Sequence, residues 1–233
     1  MKYLFLDTET TSLSNQRNVV QLGSILTDLN FNIIETYDRL FNDTNERLTV
    51  ESMAVTGITP EMLVDKPMLS PVWYHIPSDV ILIGHNIGFD IIALRNHKIF
   101  FDCPVIDTYK VAYAVLEEKD SYALQYLRYD MGLYKEEPEN IKQHSALDDC
   151  YVCMLLFKRL LKYENNLEKL VEISKNPVKL HRIKFGKYRG TRFEDINDLS
   201  YLRWLYNSEG TKPEGERNED LLYTISLILK GAK

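Results

Sequence analysis

Apolar and polar positions change rhythm several times along the chain, and each change predicts an element. "YLFLD" predicts a strand over residues 3–7. "VVQLGSILTDL", from Val19, has near-alternating apolar positions and predicts a second strand. "DLNFN" is a polar turn, and "IIETYDRLF" returns as a third strand. Short joins between the three predict an antiparallel meander. After Thr49 the spacing becomes helical in "VESMAV", in "PEMLV" with Pro60 at a favoured first position, and in "SPVWYHI". "VILIGHN" is a continuous apolar run, expected to be a strand buried on both faces. "GFDIIALRNH" is helical again, and "PVIDTYKVAYAVL" is a strand running into a helix. "SYALQYLRYDMGL" predicts a helix that includes Tyr122 and ends near Gly132. "SALDDCYVCMLLFKRLLKY" is a long helix, and "NNLEKLVEIS" a helix that closes at Asn176-Pro177. A meander followed by alternating strands and helices predicts an α/β fold with a mixed sheet.

Beyond Pro177 the texture shifts. "HRIKFGKYRGTRFEDI" predicts a hairpin or ribbon with Gly186 and Gly190 as turn residues. "SYLRWLYNSEG" and "NEDLLYTISLILKG" predict two helices. The expected organisation is a main domain over residues 1–175 and a small α+β unit over 178–233. The small unit is marginal in size for folding alone.

Composition narrows the class. The chain has 233 residues, 45% hydrophobic and 27% charged, as expected of a globular protein. No apolar run approaches the ~20 residues of a membrane helix. Asp7 and Glu9 interrupt the first apolar stretch, so no signal peptide is expected there. Three cysteines are too few for a disulfide framework, and a cytoplasmic setting is expected. Cys150 and Cys153 have metal-like spacing, but the stretch is apolar and no second ligand pair accompanies it. The net charge of −6 is uneven: residues 178–233 hold 11 Lys and Arg against 8 Asp and Glu, while residues 1–177 hold 17 against 26. Residues 178–192 carry six basic residues and no acidic one. An acidic body with a basic tail points to two partners or two tasks.

The chemistry begins where the first strand ends, at Asp7 and Glu9. Side chains two apart on a strand point the same way, with Cα atoms roughly 6.5–7 Å apart. Both carboxylates therefore converge beyond the strand tip, with Thr8 facing away. Asp90 stands at the start of a helix after a buried strand, and His144, Asp148 and Asp149 stand at the head of the long helix. Singly, each acid reads as a helix-start residue or a cap. Position alone does not choose between Asp148 and Asp149, because adjacent helical residues differ by about 100° in direction.

"LDTETTSL", "HNIGFD" and "HSALDDC", in that order, resemble the motifs of the DEDDh 3′–5′ exonuclease family. The resemblance covers roughly residues 1–170. It implies a ribonuclease H-like mixed five-stranded sheet flanked by helices, with Asp7, Glu9, Asp90 and Asp149 as metal-binding acids. Asp149 is preferred over Asp148 by the family's H-x4-D spacing. His144 is implied as the general base, two Mg²⁺ ions as cofactors with Mn²⁺ able to substitute, and DNA 3′ ends as substrate. By the same resemblance Thr10, Leu13, Thr56 and His144 face the terminal nucleotide, although at Thr56 the family often carries histidine. Glu51 and Met53 belong to the same segment. "SMAVTGITPEMLVDKP" and the tail "FGKYRGTRFEDI" are similar to one DNA-acting branch of the family.

The resemblance implies a metal-dependent exodeoxyribonuclease that releases nucleoside 5′-monophosphates and serves DNA repair or recombination. Two rivals remain: an enzyme that trims RNA 3′ ends, and a catalytically silent protein that binds DNA ends. In the tail, Lys184, Lys187, Arg189 and Arg192, with Phe185 and Tyr188 between them, form a candidate DNA-binding patch. The alternative there is a solvated hairpin whose aromatics pack into the core.

Overall fold

A computed structural model describes residues 1–14, 16–42, 47–213 and 217–231 of the chain. Its centre is a five-stranded sheet in the order β3-β2-β1-β4-β5. The strands are β1 (Lys2–Thr10), β2 (Val19–Thr27), β3 (Ile33–Leu40), β4 (Val80–Gly84) and β5 (Val105–Asp107). β1, β2 and β3 pair antiparallel, as a meander must, while β4 and β5 run parallel to β1. Helices α1 (Val50–Thr56) and α2 (Pro60–Leu63) follow the meander. Then come α3 (Gly88–Asn96), α4 (Thr108–Val115), α5 (Leu124–Asp130), α6 (Ala146–Leu160) and α7 (Leu167–Lys175).

The pleat of β1 explains the layers. Leu4 and Leu6 join a core with Ala93 and Leu94 of α3. The alternate residues Tyr3 and Phe5 meet Phe157 of α6, with ring centroids 5.3 and 6.1 Å away. Successive side chains leave a strand on opposite faces, so α3 and α6 cover the two sides of the sheet. β4 is buried along its whole length, as its uninterrupted apolar run predicts.

Two features of β2 seat α6. Gln21 Oε1 accepts a hydrogen bond from Ala146 N at 3.2 Å, filling the capping role that Ser145 leaves unfilled. A Cβ on Gly23 would lie 2.2 Å from Leu147 N and 2.3 Å from the Ala146 carbonyl carbon. Only a residue without a side chain lets the first turn of α6 lie this close to the sheet. Gly23 is also the register partner of Asp7.

Three expectations change. "SPVWYHI" forms no helix; one turn at Ser70–Trp73 is followed by extended chain before Pro77. Its Tyr74 and Ile76 fill the core as loop residues, so the apolar spacing reflects burial rather than helical period. Tyr122 precedes α5 and is buried against Tyr113, ring centroids 3.7 Å apart. The tail hairpin reduces to one antiparallel bridge between Arg182 and Arg192, with Gly186 at φ 66° and Gly190 at φ 86° supplying the turns.

The chain divides into two compact units: Met1–Val115 with Asp120–Ser174, and Leu116–Lys119 with Lys175–Lys233. The second holds α8 (Leu199–Gly210) and α9 (Glu219–Gly231) around Ile183, Phe193, Leu202, Leu205 and Ile225. Leu116–Lys119 belongs to it because Glu118 pairs with Arg182 and Arg192. Among the described residues no helix is long and apolar enough to cross a membrane.

Gly23→Ala forces a methyl group into the α6 backbone. We expect a loss of roughly 1–3 kcal/mol in denaturant unfolding, with the head of α6 and Asp149 on it displaced from the sheet.

Candidate active site

Three elements deliver the acids. β1 ends in Asp7 and Glu9, α3 begins with Asp90 in its first turn, and α6 begins with Asp149 in its first turn. Asp90 and Asp149 are 4% and 7% exposed, while Asp7 and Glu9 keep more of their surface open. Glu9, His144 and Asp149 each offer a ligand atom within 4.8 Å of the other two. That triple includes His144, expected as a base rather than a ligand. Asp7 and Asp90 lie close enough to feel the others' charge: Asp7 is repelled by Asp90, Asp149 and Glu9, and Glu9 by Asp149 and Asp90.

Burial and mutual repulsion raise these carboxyl groups. Asp7 is pushed well above the usual carboxylate range by burial, then by Asp90, Asp149 and Glu9. Glu9 rises to about 8, through burial and then repulsion from Asp149 and Asp90. Burial lifts Asp90 to about 7 against two opposing hydrogen bonds from Thr8. Burial also lifts Asp149 to about 6, opposed by the His144 N–H and by the charges of His144 and Arg128. Packed anions of this kind are costly without countercharge. Carboxylate oxygens beside an imidazole suit a hard divalent cation, so the residues present fit the ions that the family resemblance implies.

Each acid is held by neighbours that no motif announces. Thr8, expected only to face away, donates to Asp90 Oδ1 from its backbone N at 2.9 Å and its hydroxyl at 2.7 Å. Asp149 Oδ2 accepts His144 N at 3.1 Å, and Oδ1 accepts Gln125 Nε2 at 2.6 Å. Gln125 Oε1 in turn accepts Arg128 Nη1 at 3.0 Å, and Arg128 forms a two-pronged ion pair with Glu137. His144 sits at φ 60°, a left-handed conformation uncommon for a side chain with a Cβ, and its N–H bond to Asp149 helps hold it there. Asp148 turns outward and accepts Lys142 N at 3.1 Å, so the helix direction selects Asp149 for the cluster.

Asp107, at the end of β5, carried no motif yet obeys the same strand-end logic as Asp7. It accepts Asn86 N at 2.8 Å and Tyr109 N at 3.0 Å, holding the "HNIGFD" turn, and burial raises it to about 6. His85 bridges Thr108 Oγ1 at 2.9 Å and the Tyr122 carbonyl at 2.8 Å, and burial lowers it to about 4. These are fixing contacts that surround the acids.

A cavity of about 360 Å³ opens beside Glu9, a volume typical of small-ligand sites. Its lining includes Thr10, Leu13, Glu51, Thr56 and Phe89; Met53 is not among the lining residues. Leu13 is 83% exposed, so it is not folded over the core. Arg17, buried below it, donates Nη2 to Leu13 O and Nη1 to Phe89 O, both at 3.1 Å, with its guanidinium 3.7 Å from the Phe89 ring centroid. α1 buries no residue of its own. It is tied to the end of β1 by Ser52 Oγ donating to Thr10 O and Thr49 N donating to Thr11 O. The Thr56 hydroxyl donates to Ser52 O at 2.9 Å and accepts Ile58 N at 3.1 Å, which commits it to closing α1.

Cys150 and Cys153 are both buried, and Cys150 Sγ donates to Gly23 O at 3.3 Å; they pack α6 against the sheet.

This geometry has known counterparts. A family profile described as Exonuclease, of the RNase T type, matches residues 4–157. The chain belongs to this exonuclease family. Exodeoxyribonuclease 10 of Escherichia coli K12 is 28% identical over 219 residues, covering 90% of this chain and 93% of the relative. A PolC-type DNA polymerase III of Staphylococcus aureus is 29% identical over 174 residues, covering 71% of this chain but only 12% of the polymerase. Among solved structures, exonuclease X in complex with 5′-overhanging duplex DNA superposes with a TM-score of 0.62 at 24% identity, covering 74% of this chain and 99% of that one. Exonuclease I of E. coli in complex with a dA16 oligonucleotide gives 0.56 at 21% identity, covering 72% of this chain and 42% of that one. The exonuclease fold is thereby shared across the sheet and its flanking helices.

Two measurements test the site. Raised carboxyl groups bind more protons in the folded state than in the unfolded one, so the metal-free protein loses stability as pH rises from about 4.5 towards 8. Thermal unfolding across that window should show the fall, and Asp90→Asn or millimolar Mg²⁺ should flatten it. Glu137→Ala strands Arg128, whose pair is buried, and should cost roughly 3–5 kcal/mol in denaturant unfolding.

Proposed function

We propose that this exonuclease is a metal-dependent 3′–5′ exodeoxyribonuclease that releases nucleoside 5′-monophosphates one at a time from DNA 3′ ends. The observation that carries the reading is the convergence of Asp7, Glu9, Asp90 and Asp149 with His144 beside a cavity rimmed by an exposed leucine. The likeness to exodeoxyribonuclease 10 along nearly the whole chain supports DNA over RNA. Polarity rests on the DEDDh resemblance. DNA repair or recombination in the cytoplasm is the proposed setting.

In this reading the four acids hold two Mg²⁺ ions, with Mn²⁺ able to substitute. A bound pair would cancel the charge of the four carboxylates, so that the phosphate is no longer repelled, and would stabilise both attacking and leaving oxygens. The chain's own residues do the rest. His144 takes a proton from the attacking water, a task suited to imidazole near neutral pH. The Gln125 and His144 hydrogen bonds fix the plane of the Asp149 carboxylate, and Thr8 fixes Asp90. Leu13 and Phe89, both braced by Arg17, offer apolar surface to the terminal base and sugar. Thr56 lines the cavity with its hydroxyl already engaged, so its expected contribution is its methyl surface.

Matched DNA and RNA oligomers labelled at the 5′ end, incubated with and without Mg²⁺, test this directly. The expected result is a ladder of 5′-labelled DNA products shortened one nucleotide at a time, only with metal, and little change in RNA. Preferential RNA shortening would favour the exoribonuclease rival, and no products at all the silent end-binder. His144→Ala should retain DNA binding while turnover falls roughly 10²–10⁴-fold. Unchanged turnover in that variant would remove His144 from the mechanism.

A further inference from the structure

The small unit carries exposed aromatic rings next to a basic loop. Tyr201 and Trp204 lie three residues apart on α8 and therefore on one side of it. Their ring centroids are 5.7 Å apart, and Tyr201 is 5.0 Å from Tyr188, edge to face. A Cβ on Gly186 would lie 2.9 Å from Tyr201 Oη, so the turn of the basic loop runs directly beside this aromatic row. Tyr188 and Tyr201 pack against the unit's core, whereas Trp204 is 62% and Phe185 44% exposed.

The charges around the rings are not equivalent. Arg192 is held by Glu118 and Glu194, and Lys187 by Asp198 at 3.2 Å with its Nζ 4.9 Å from the Tyr188 ring centroid. Lys184 and Arg189 are exposed and make no ion pair among the described residues. The candidate patch read from the sequence thus narrows to Lys184 and Arg189, with Lys187 shared, while Trp204 joins it from α8, fifteen residues beyond Arg189. Exposed indole surface beside unpaired cations suits a ligand with flat apolar faces and a repeating negative charge.

We propose that Trp204 and Tyr201, with Lys184, Lys187 and Arg189, form a binding surface for single-stranded DNA on the small unit. The choice of DNA rests on the exodeoxyribonuclease reading. An unpaired strand is required, because base faces in a duplex are already stacked. Charge complementarity supports the occupant: residues 178–192 are basic without a single acid, whereas residues 1–177 carry a net −9 that repels a polyanion. The surface would hold strand that the acidic unit cannot attract for itself.

Trp73→Phe leaves Trp204 as the sole tryptophan of the full-length chain. In metal-free buffer, oligothymidylate should quench its emission, and the affinity should fall steeply with salt. Trp204→Ala should weaken binding of a labelled oligothymidylate roughly tenfold by anisotropy. Lys184→Ala with Arg189→Ala should do the same with a shallower salt dependence. Hydrolysis of the nitrophenyl ester of thymidine 5′-monophosphate, which needs only the catalytic cluster, should stay unchanged in both variants. If the wild-type chain fails to cleave that ester while the Trp73→Phe variant still shows the quench, the exodeoxyribonuclease reading fails and this surface stands. Absence of quenching, unaltered oligothymidylate affinity in Trp204→Ala, or tighter binding of oligouridylate overturns the proposal. So does a change in Trp204 emission that follows protein concentration alone, since a second copy would then cover the ring.

Discussion

The close approach of α6 to β2 is the constraint on which the site depends. Asp7 and Gly23 face one another in the sheet, and the α6 backbone lies over Gly23 where a methyl group would collide. Gln21, two residues away on the same strand, closes the helix start. Asp149, three residues past Ala146, is thereby brought to the tip of β1. A helix one side chain further from the sheet would separate Asp149 from Glu9 by more than a shared ion could span. The sheet's own register thus fixes the distance between groups that are 140 residues apart in sequence.

Bringing the acids together runs against electrostatics, and the surrounding structure offsets the repulsion locally. Thr8 gives Asp90 two hydrogen bonds, and Gln125 and His144 give Asp149 one to each oxygen. The Arg128–Glu137 pair behind Gln125 is itself buried and orients the amide so that its N–H₂ meets the carboxylate. Glu9, on the open side, remains the most easily protonated of those with a stated value, at about 8. The fold therefore fixes the directions of the acids while leaving their charge unbalanced. An added cation would relieve that imbalance more than any rearrangement of the protein.

Much of this was legible from sequence because strand ends and helix starts are local signals. A strand period that stops at Asp7, and a buried run that stops before Asp90, place both acids at element boundaries whatever the topology. The supporting residues were silent because they act across long separations. Gln125 meets Asp149 across 24 residues, and Arg17 meets Phe89 across 72. Asp107 was the exception, since it ends a strand as Asp7 does and could have been found by the same rule. "SPVWYHI" misled for a different reason: Tyr74 and Ile76 are apolar because they plug the core, and a loop can do that without helical period. The tail hairpin forms but stays short, with cross-strand bonds such as Ile183 N to Thr191 O and Phe193 N to His181 O, because the Gly186 and Gly190 turns take up residues that longer strands would pair.

In the proposed reading the two units divide the physics of handling a polyanion. A cluster that needs cations must be acidic, and an acidic cluster repels the substrate until cations arrive. Bound cations would resolve this for a single scissile phosphate only, since their countercharge would be confined to the strand tip. Strand outside the cleft still meets a net negative surface. Basic side chains that make no ion pair with the acids among the described residues, Lys184 and Arg189, would add attraction for strand while leaving the carboxylates without side-chain countercharge. Placing Lys184 and Arg189 within the first unit would instead have supplied the acids with side-chain partners and removed their demand for metal.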